Sequence, residues 1–129
     1  MSEIRTFEEL EAWQKCRAFR RFAFHRIIPE LLERKEFDLA NQLKRSSRSI
    51  TNNIAEGYGR FHFRDNYKFC SNARASLFES LDHLICAHDE GLLSDDILDE
   101  GRDLFDEALK LLNGYMAYLK RSAEAPSNQ

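Results

Sequence analysis

The sequence predicts an all-α protein, folded as an up-down-up-down four-helix bundle. Apolar residues recur every three or four positions over long stretches, as they do on one face of a helix. Helix breakers are rare, with five Gly and two Pro in 129 residues. No segment shows the alternation of a strand, and Val is absent. Four helices of about 20–28 residues joined by short loops favour an antiparallel bundle.

The first helix is expected over residues 7–34. Thr6 is the candidate N-cap, and Glu8 and Glu9 suit the first turn because carboxylates stabilise the helix dipole there. Pro29 lacks an N–H, so the helix is expected to kink or end nearby. Its apolar face consists of Leu10, Trp13, Cys16, Phe19, Phe22, Ala23, Ile27 and Leu31.

The second helix is expected over residues 37–56, with Gly57 as a left-handed C-cap. The third is expected over residues 65–90 and ends before Gly91. The fourth is expected over residues 94–121, with Ser94 as its N-cap. The apolar line of the second helix is Leu39, Leu43, Ser46 or Ser47, Ile50 and Ile54. That of the third is Phe69 or Cys70, Ala73, Leu77, Leu81, Leu84 and Ala87 or His88. That of the fourth is Ile97, Gly101, Leu104, Ala108, Leu111, Tyr115 and Leu119. Residues 1–121 therefore form one domain, and residues 122–129 a flexible tail.

Composition and cysteine usage point to a cytoplasmic protein without a membrane span. No stretch approaches the roughly 20 apolar residues that a bilayer requires, and residues 1–6 contain no apolar signal core. Cys16, Cys70 and Cys86 are an odd number within predicted helices, which is typical of a reducing compartment rather than of a disulfide framework.

Charge is divided between the two halves of the chain. Residues 1–64 contain 13 Lys/Arg and 9 Asp/Glu, whereas residues 65–129 contain 6 and 13. Two interpretations follow: the halves attract each other within one molecule, or the basic face of one subunit meets the acidic face of the next.

Basic side chains of the first two helices are the candidate binding surface for RNA, another nucleic acid or a protein partner. Aromatic residues, Tyr58, Phe61, His62 and Phe63, lie among these cations, a mixture suited to phosphate contact and base stacking. The alternative is a solvated helix face, with aromatics that close the bundle end or an interface. The candidate residues are Arg17, Arg20, Arg21, Lys44, Arg45, Arg48, Arg60 and Arg64.

A polar stripe runs beside the apolar line of the second helix and leads to Gly57. Its members are Gln42, Arg45, Ser49, Asn53 and Glu56. Short polar groups next to a core usually form hydrogen bonds to another helix or another subunit, so an interaction role is expected.

The sequence predicts no catalytic residue, no metal and no cofactor. His83 and Cys86 share a helix face, but only as half of a metal site, and there is no nucleophile elbow and no phosphate-binding glycine pattern. A metal-binding or enzymatic bundle that uses His83, Cys86 and His88, together with Glu56, is the alternative from another class.

Residues 42–60, QLKRSSRSITNNIAEGYGR, resemble the signature of the 23S rRNA intervening-sequence protein family. The opening Phe7, Leu10, Trp13 and Gln14 are similar to the start of that family, and residues 66–79 to its third helix. The chain departs from the pattern at Ala75, where Gly is common.

This resemblance implies a four-helix subunit of a ring-like homopentamer without established enzymatic activity. The family is in turn similar to the accessory variability protein of diversity-generating retroelements, a basic barrel-shaped pentamer that binds RNA and the reverse transcriptase. A non-enzymatic, oligomeric binding scaffold is therefore expected, and a pure protein–protein assembly module is the alternative.

Overall fold

The computed structural model describes residues 6–126, which fold into helices joined by short connections. The elements are α1 (Glu11–Phe22), a π-helical segment (Ala23–Ile27), α2 (Ile28–Glu33), α3 (Phe37–Tyr58), α4 (Phe63–Asp89) and α5 (Asp95–Glu124). Because α1, the π-helical segment and α2 follow one another without a break, they form one rod, and the fold is a bundle of four long rods. Residues 6–126 contain no strand, and the predicted all-α four-helix bundle is confirmed.

Each rod packs against its neighbours in the chain, and the last packs against the first. The contacting pairs are α1 with α3, α3 with α4, α4 with α5, and α5 with α1. The first rod therefore lies between α3 and α5 and diagonally opposite α4. This order decides which charged faces of the molecule meet.

The first rod begins later than expected and continues past Pro29. Thr6 caps a 3₁₀ turn (Phe7–Glu9), in which its Oγ1 accepts the Glu8 N–H at 3.0 Å, and α1 starts only at Glu11. Pro29 cannot donate to the carbonyl of His25, and its ring crowds that carbonyl. The preceding turn is widened, with the Ile28 N–H bonded to the Ala23 carbonyl five residues back, so the rod accommodates the proline and continues.

The predicted role of Gly57 as a left-handed C-cap is wrong. Gly57 is buried inside α3, which continues to Tyr58, and among the described glycines only Gly91 has a positive φ, 77°. A Cβ on Gly57 would lie 2.7 Å from Asn66 Oδ1 and 2.9 Å from Phe69 Cβ on α4. The residue is a glycine because α3 and α4 approach closely just before their connection.

The core is a single cluster of side chains that runs through all four rods. On α5 the expected line is confirmed at Gly101, Ala108 and Leu119, which are buried. At its other positions the burial is shifted by one residue: Leu98, Phe105 and Leu112 are buried, whereas Ile97, Leu104 and Leu111 are half-buried. The expected seams of the first three helices agree more closely with the buried residues, which include Cys16, Phe19, Leu43, Ile50, Ile54, Cys70, Ala73, Leu77 and Leu84.

The chain from residue 122 is partly helical, because α5 extends to Glu124 and buries Ala123. The remainder of the expected tail, residues 127–129, and the opening residues 1–5 lie outside the described residues. Within residues 6–126, no helix combines the length and the apolar character needed to cross a bilayer.

Candidate nucleic-acid interface

A basic groove lies between the first rod and α3. It has a volume of about 540 Å³ and is open to solvent. α1 contributes three arginines, the π-helical segment contributes an aromatic ring and an imidazole, and α3 contributes an arginine and an amide. We call it the arginine groove; its lining residues are Arg17, Arg20, Arg21, Phe24, His25, Arg48 and Asn52.

Arg20 is the innermost cation of the arginine groove. Its Nη1 donates to Oγ1 of the buried Thr51 on α3 at 2.6 Å, which fixes the guanidinium between the two rods. Partial burial lowers the pKa of Arg20, and Arg17, Arg21 and Arg48 lower it further because all three carry the same charge. An arginine remains protonated at neutral pH, so this repulsion persists until an anion enters.

Two of the groove arginines lie on aromatic rings, and none of the four has a carboxylate partner within residues 6–126. The guanidinium of Arg48 lies 5.0 Å from the ring centroid of Phe24, and that of Arg17 lies 5.5 Å from the ring of Trp13. None of the four forms an ion pair within residues 6–126. Guanidinium groups held on rings, with N–H donors unpaired, are suited to phosphate oxygens.

The other predicted basic residues do not line the arginine groove. Lys44 and Arg45 lie one turn before Arg48 on α3 and extend the basic surface along that helix. Arg60 pairs with Glu56 at 3.3 Å at the far end of α3. Arg64 lies on α4 beside Tyr67 and Lys120. The structure thus brings together Arg17, Arg20, Arg21 and Arg48, and places the remaining four elsewhere.

Part of the charge of the first rod is neutralised within the molecule. Lys15 Nζ lies 2.6 Å from Glu107 Oε1, and Arg26 Nη1 lies 3.2 Å from Glu100 Oε1, so both cations pair with α5. These contacts agree with the first interpretation of the divided charge, attraction within one molecule. They leave the arginines that face α3 without compensation.

One member of the polar stripe, Ser49, joins α3 to α4, and the hydrogen bonds observed for the others stay near α3. Ser76 on α4 donates its hydroxyl to Ser49 Oγ at 2.9 Å, and Asn53 Nδ2 donates to the same oxygen at 3.0 Å. Gln42 donates to Asp38 within α3. Ala75, where the chain departs from the pattern that it resembles, is exposed on α4. The expected hydrogen bond from this stripe to another helix is therefore formed by Ser49 within the subunit.

The residues of the alternative metal site are bonded to separate carboxylates. His83 Nε2 lies 3.2 Å from Glu79, the Cys86 thiol donates to Glu90 at 3.2 Å, and His88 Nε2 lies 2.6 Å from Asp95. In the part of the chain that the structure describes, no three His, Cys, Asp or Glu side chains are grouped as metal ligands. The structure does not bring these three residues to one centre.

Phe24, His25 and Asn52 belong to the arginine groove but were not among the predicted binding residues. Two signals for them exist in the sequence. Phe24 and His25 follow Arg21 by three and four positions, and Asn52 follows Arg48 by four, so each shares a helix face with an arginine. Pro29 also indicates that the preceding helical turn is irregular, and Phe24 and His25 lie in that widened turn.

Comparison with known proteins agrees with these observations. Residues 8–114 match the family described as 23S rRNA-intervening sequence protein, and the chain belongs to that family. No curated protein matches the chain significantly.

Proposed function

We propose that this member of the 23S rRNA-intervening sequence protein family is a non-enzymatic RNA-binding scaffold that holds RNA phosphates in the arginine groove. The observation that supports this most is the arrangement of Arg17, Arg20, Arg21 and Arg48, which lie together and lack a carboxylate partner within residues 6–126. An RNA backbone supplies several phosphates at close spacing, so it relieves the repulsion among these cations. The name of the family agrees with an RNA-related role.

Binding through phosphates has a measurable signature. Log affinity falls linearly with log salt concentration, and each lost phosphate contact lowers the slope by about 1. We would measure the fluorescence anisotropy of a labelled RNA hairpin between about 50 and 200 mM salt. We expect micromolar binding at low salt that weakens steeply. Absence of salt-sensitive binding would refute the proposal.

The groove is tested by the double variant Arg17→Gln, Arg48→Gln. Both side chains are exposed, so the fold is expected to survive, which circular dichroism would check. We expect weaker binding and a salt slope smaller by about 2. Arg74→Gln is the matched control, because Arg74 is an exposed arginine that also lies on an aromatic ring but bonds Asn113 across α4 and α5, away from the groove. An equal loss in the control would contradict the groove.

Self-assembly is the second candidate function, and the outer side of α5 favours it. Asp96, Asp99, Asp103 and Asp106 are exposed and have no cationic partner within the described residues. This acidic face complements the arginine groove of a second copy, an arrangement that leads to a ring if the rotation closes. Five copies of the 15.2-kDa chain, as the family resemblance implies, have a mass of about 76 kDa.

Light scattering on a sizing column tests assembly, and the ratio of absorbance at 260 and 280 nm in the same peak reports co-purified nucleic acid. A mass near 76 kDa that falls after Arg17→Glu, Arg48→Glu would place the groove in the subunit interface. A mass that is unchanged by these substitutions, with RNA binding lost, would assign the groove to RNA. A 15-kDa monomer would exclude the ring.

A further inference from the structure

A pocket lined by aromatic rings lies at the end of the bundle where α3 meets α4. Its volume is about 460 Å³, within the usual range for small-ligand sites. Tyr58 comes from the end of α3, Phe61 and Phe63 from the connection and the start of α4, and Tyr115 and Tyr118 from α5. We call it the aromatic pocket. It is separate from the arginine groove and shares no residue with it.

The rings of the aromatic pocket leave a stacking surface open to solvent. Tyr115 and Tyr118 are stacked, with centroids 6.2 Å apart and planes inclined by 17°, and Phe63 meets Tyr118 edge to face. Phe61 is 99% exposed and Tyr118 is 49% exposed. A phenylalanine so exposed loses favourable burial unless a ligand covers it.

The floor of the aromatic pocket is fixed by the close approach of α3 and α4. The buried Asn66 fills the space beside Gly57 and donates its Nδ2 to the Tyr115 hydroxyl oxygen at 3.0 Å. Burial raises the pKa of Tyr115 to about 12, so the phenol stays neutral. The neutral hydroxyl lines the pocket and keeps a proton that it can donate to a ligand atom.

One cation lines the aromatic pocket and others lie in clefts on the same elements. Arg60 lines it directly, Arg121 borders the adjoining cleft beside Phe63 and Tyr118, and Arg64 and Lys120 lie around Tyr67. An aromatic surface edged by arginine and lysine is complementary to a ligand that has a flat ring and a negative backbone. An apolar peptide segment would use the rings but not the nearby cations.

The aromatic pocket and the arginine groove lie within reach of one RNA strand. Arg48 and Tyr58 are ten residues apart on α3, about 15 Å along the helix. A few nucleotides of one RNA strand span that distance. Glu56, the acidic residue between them, pairs with Arg60.

We infer that the aromatic pocket holds an unstacked base of the RNA whose phosphates occupy the arginine groove, which makes unpaired RNA the preferred ligand. The inference rests on the proposed function, since it assumes that RNA is bound. Phe61 and Tyr118 stack on the base, and the Tyr115 hydroxyl donates to a base acceptor. A regular duplex lacks a free base and uses the arginine groove alone.

The test compares two labelled RNAs of equal length and phosphate number, one a hairpin with an unpaired loop and the other a blunt duplex. We expect Phe61→Ala to weaken hairpin binding at least fivefold, because stacking contributes that much per base, and to leave duplex binding and the salt slope unchanged. Phe61→Trp is expected to restore hairpin binding. Phe37→Ala is the matched control, since Phe37 is also exposed, by 56%, but lies at the opposite end of α3.

The outcomes separate the two proposals. If Phe61→Ala left the affinity for the hairpin unchanged, the aromatic pocket would not be a base site. The same conclusion would follow if Phe37→Ala reduced that affinity as much as Phe61→Ala does. Binding that survives Arg17→Gln, Arg48→Gln with its salt slope intact would instead overturn the arginine groove. A change of mass in Phe61→Ala without a change of RNA affinity would assign the pocket to a subunit interface and also overturn the inference.

Discussion

Gly57 and Gly114 are both helical glycines, yet only Gly57 touches a neighbouring helix. An added Cβ at Gly57 would lie 3.0 Å from the Asn66 carbonyl oxygen as well as 2.7 Å from its side chain, so backbone atoms must move. We expect Gly57→Ala to lower the free energy of unfolding by about 1–3 kcal/mol, the usual cost of overpacking. Urea denaturation followed by circular dichroism measures this.

Gly114→Ala is the control for that prediction. Nothing lies within 4 Å of an added Cβ at Gly114, which is exposed within α5. Alanine there should raise the free energy of unfolding by about 0.5–1 kcal/mol, because it restricts the unfolded chain. If both variants were stabilised, the packing of α3 against α4 at Gly57 would be looser than described.

The three thiols are expected to differ in reactivity. Burial raises the pKa of Cys16 and that of Cys70 to about 12, so both stay protonated and covered in the folded protein. Cys86 is nearer the surface, and its hydrogen bond to Glu90 raises its pKa. We therefore expect Ellman's reagent to titrate one thiol in the native protein, slowly at neutral pH, and three after unfolding.

Glu90→Gln tests the cause of the slow reaction. Loss of the carboxylate should lower the pKa of Cys86, so its thiolate fraction at pH 7.5 and its reaction rate should rise. The wild-type rate should rise with pH until the pH passes that raised pKa. Glu124→Gln, at the other end of the bundle, is the control. A rate that did not change in Glu90→Gln would show that access, not ionisation, limits Cys86.

The first rod and α4 end in turns of the same type, but a different residue occupies the left-handed position in each. Lys35 has φ 64° and Gly91 has φ 77°, and in each turn the next N–H bonds a carbonyl five residues back, Glu36 to Leu31 and Leu92 to Ala87. A side chain in this conformation costs about 1 kcal/mol. We expect Lys35→Gly to raise the free energy of unfolding by about that amount.

The matched control is Glu33→Gly, which places glycine two residues earlier, at the exposed last residue of α2. It should destabilise by about 0.5–1 kcal/mol, since an ordinary helical position gains nothing from glycine. The urea midpoints of both variants, compared with that of the wild type, show whether each substitution raises or lowers the free energy of unfolding. Destabilisation by Lys35→Gly would show that the lysine side chain contributes more than its backbone costs.

At the level of the helices, the sequence predicted the existence of each rod better than its orientation. α5 has apolar residues in adjacent pairs, such as Leu104 and Phe105 or Leu111 and Leu112, so its apolar stripe is wide and its centre is ambiguous. A seven-residue repeat also drifts relative to the 3.6-residue turn, by about 20° each time. The predicted line therefore included buried positions, such as Gly101 and Ala108, but took the half-buried member of each apolar pair.

The candidate site was predicted as a set of basic residues but not as two separate surfaces. The first rod lies between α3 and α5, and a single sequence does not show which neighbour each basic side chain meets. Lys15 meets α5 and finds a carboxylate, whereas Arg20, only five residues later, meets α3 and finds three other arginines. Tertiary packing thus decides which cations are neutralised.

On the scale of the whole molecule, the net charge of the chain is negative, whereas the local charge at the arginine groove is positive. The chain carries a formal net charge of −3, and its isoelectric point of 5.8 makes it negative at neutral pH. Salt at about 0.1 M screens exposed charges beyond roughly 10 Å. A polyanion in the groove therefore interacts most strongly with the charges nearest to it, the four arginines.

This difference predicts that the protein binds immobilised heparin at pH 7.5, well above its isoelectric point of 5.8. Elution should require added salt, and Arg17→Gln, Arg48→Gln should elute earlier than wild type, because two of the four groove cations are lost. Arg74→Gln removes one positive charge outside the groove and should elute close to wild type. Wild-type protein that passed through the column at low salt would show that the acidic field of α5 dominates the groove. Earlier elution of all variants in proportion to charge would show that net charge alone decides binding.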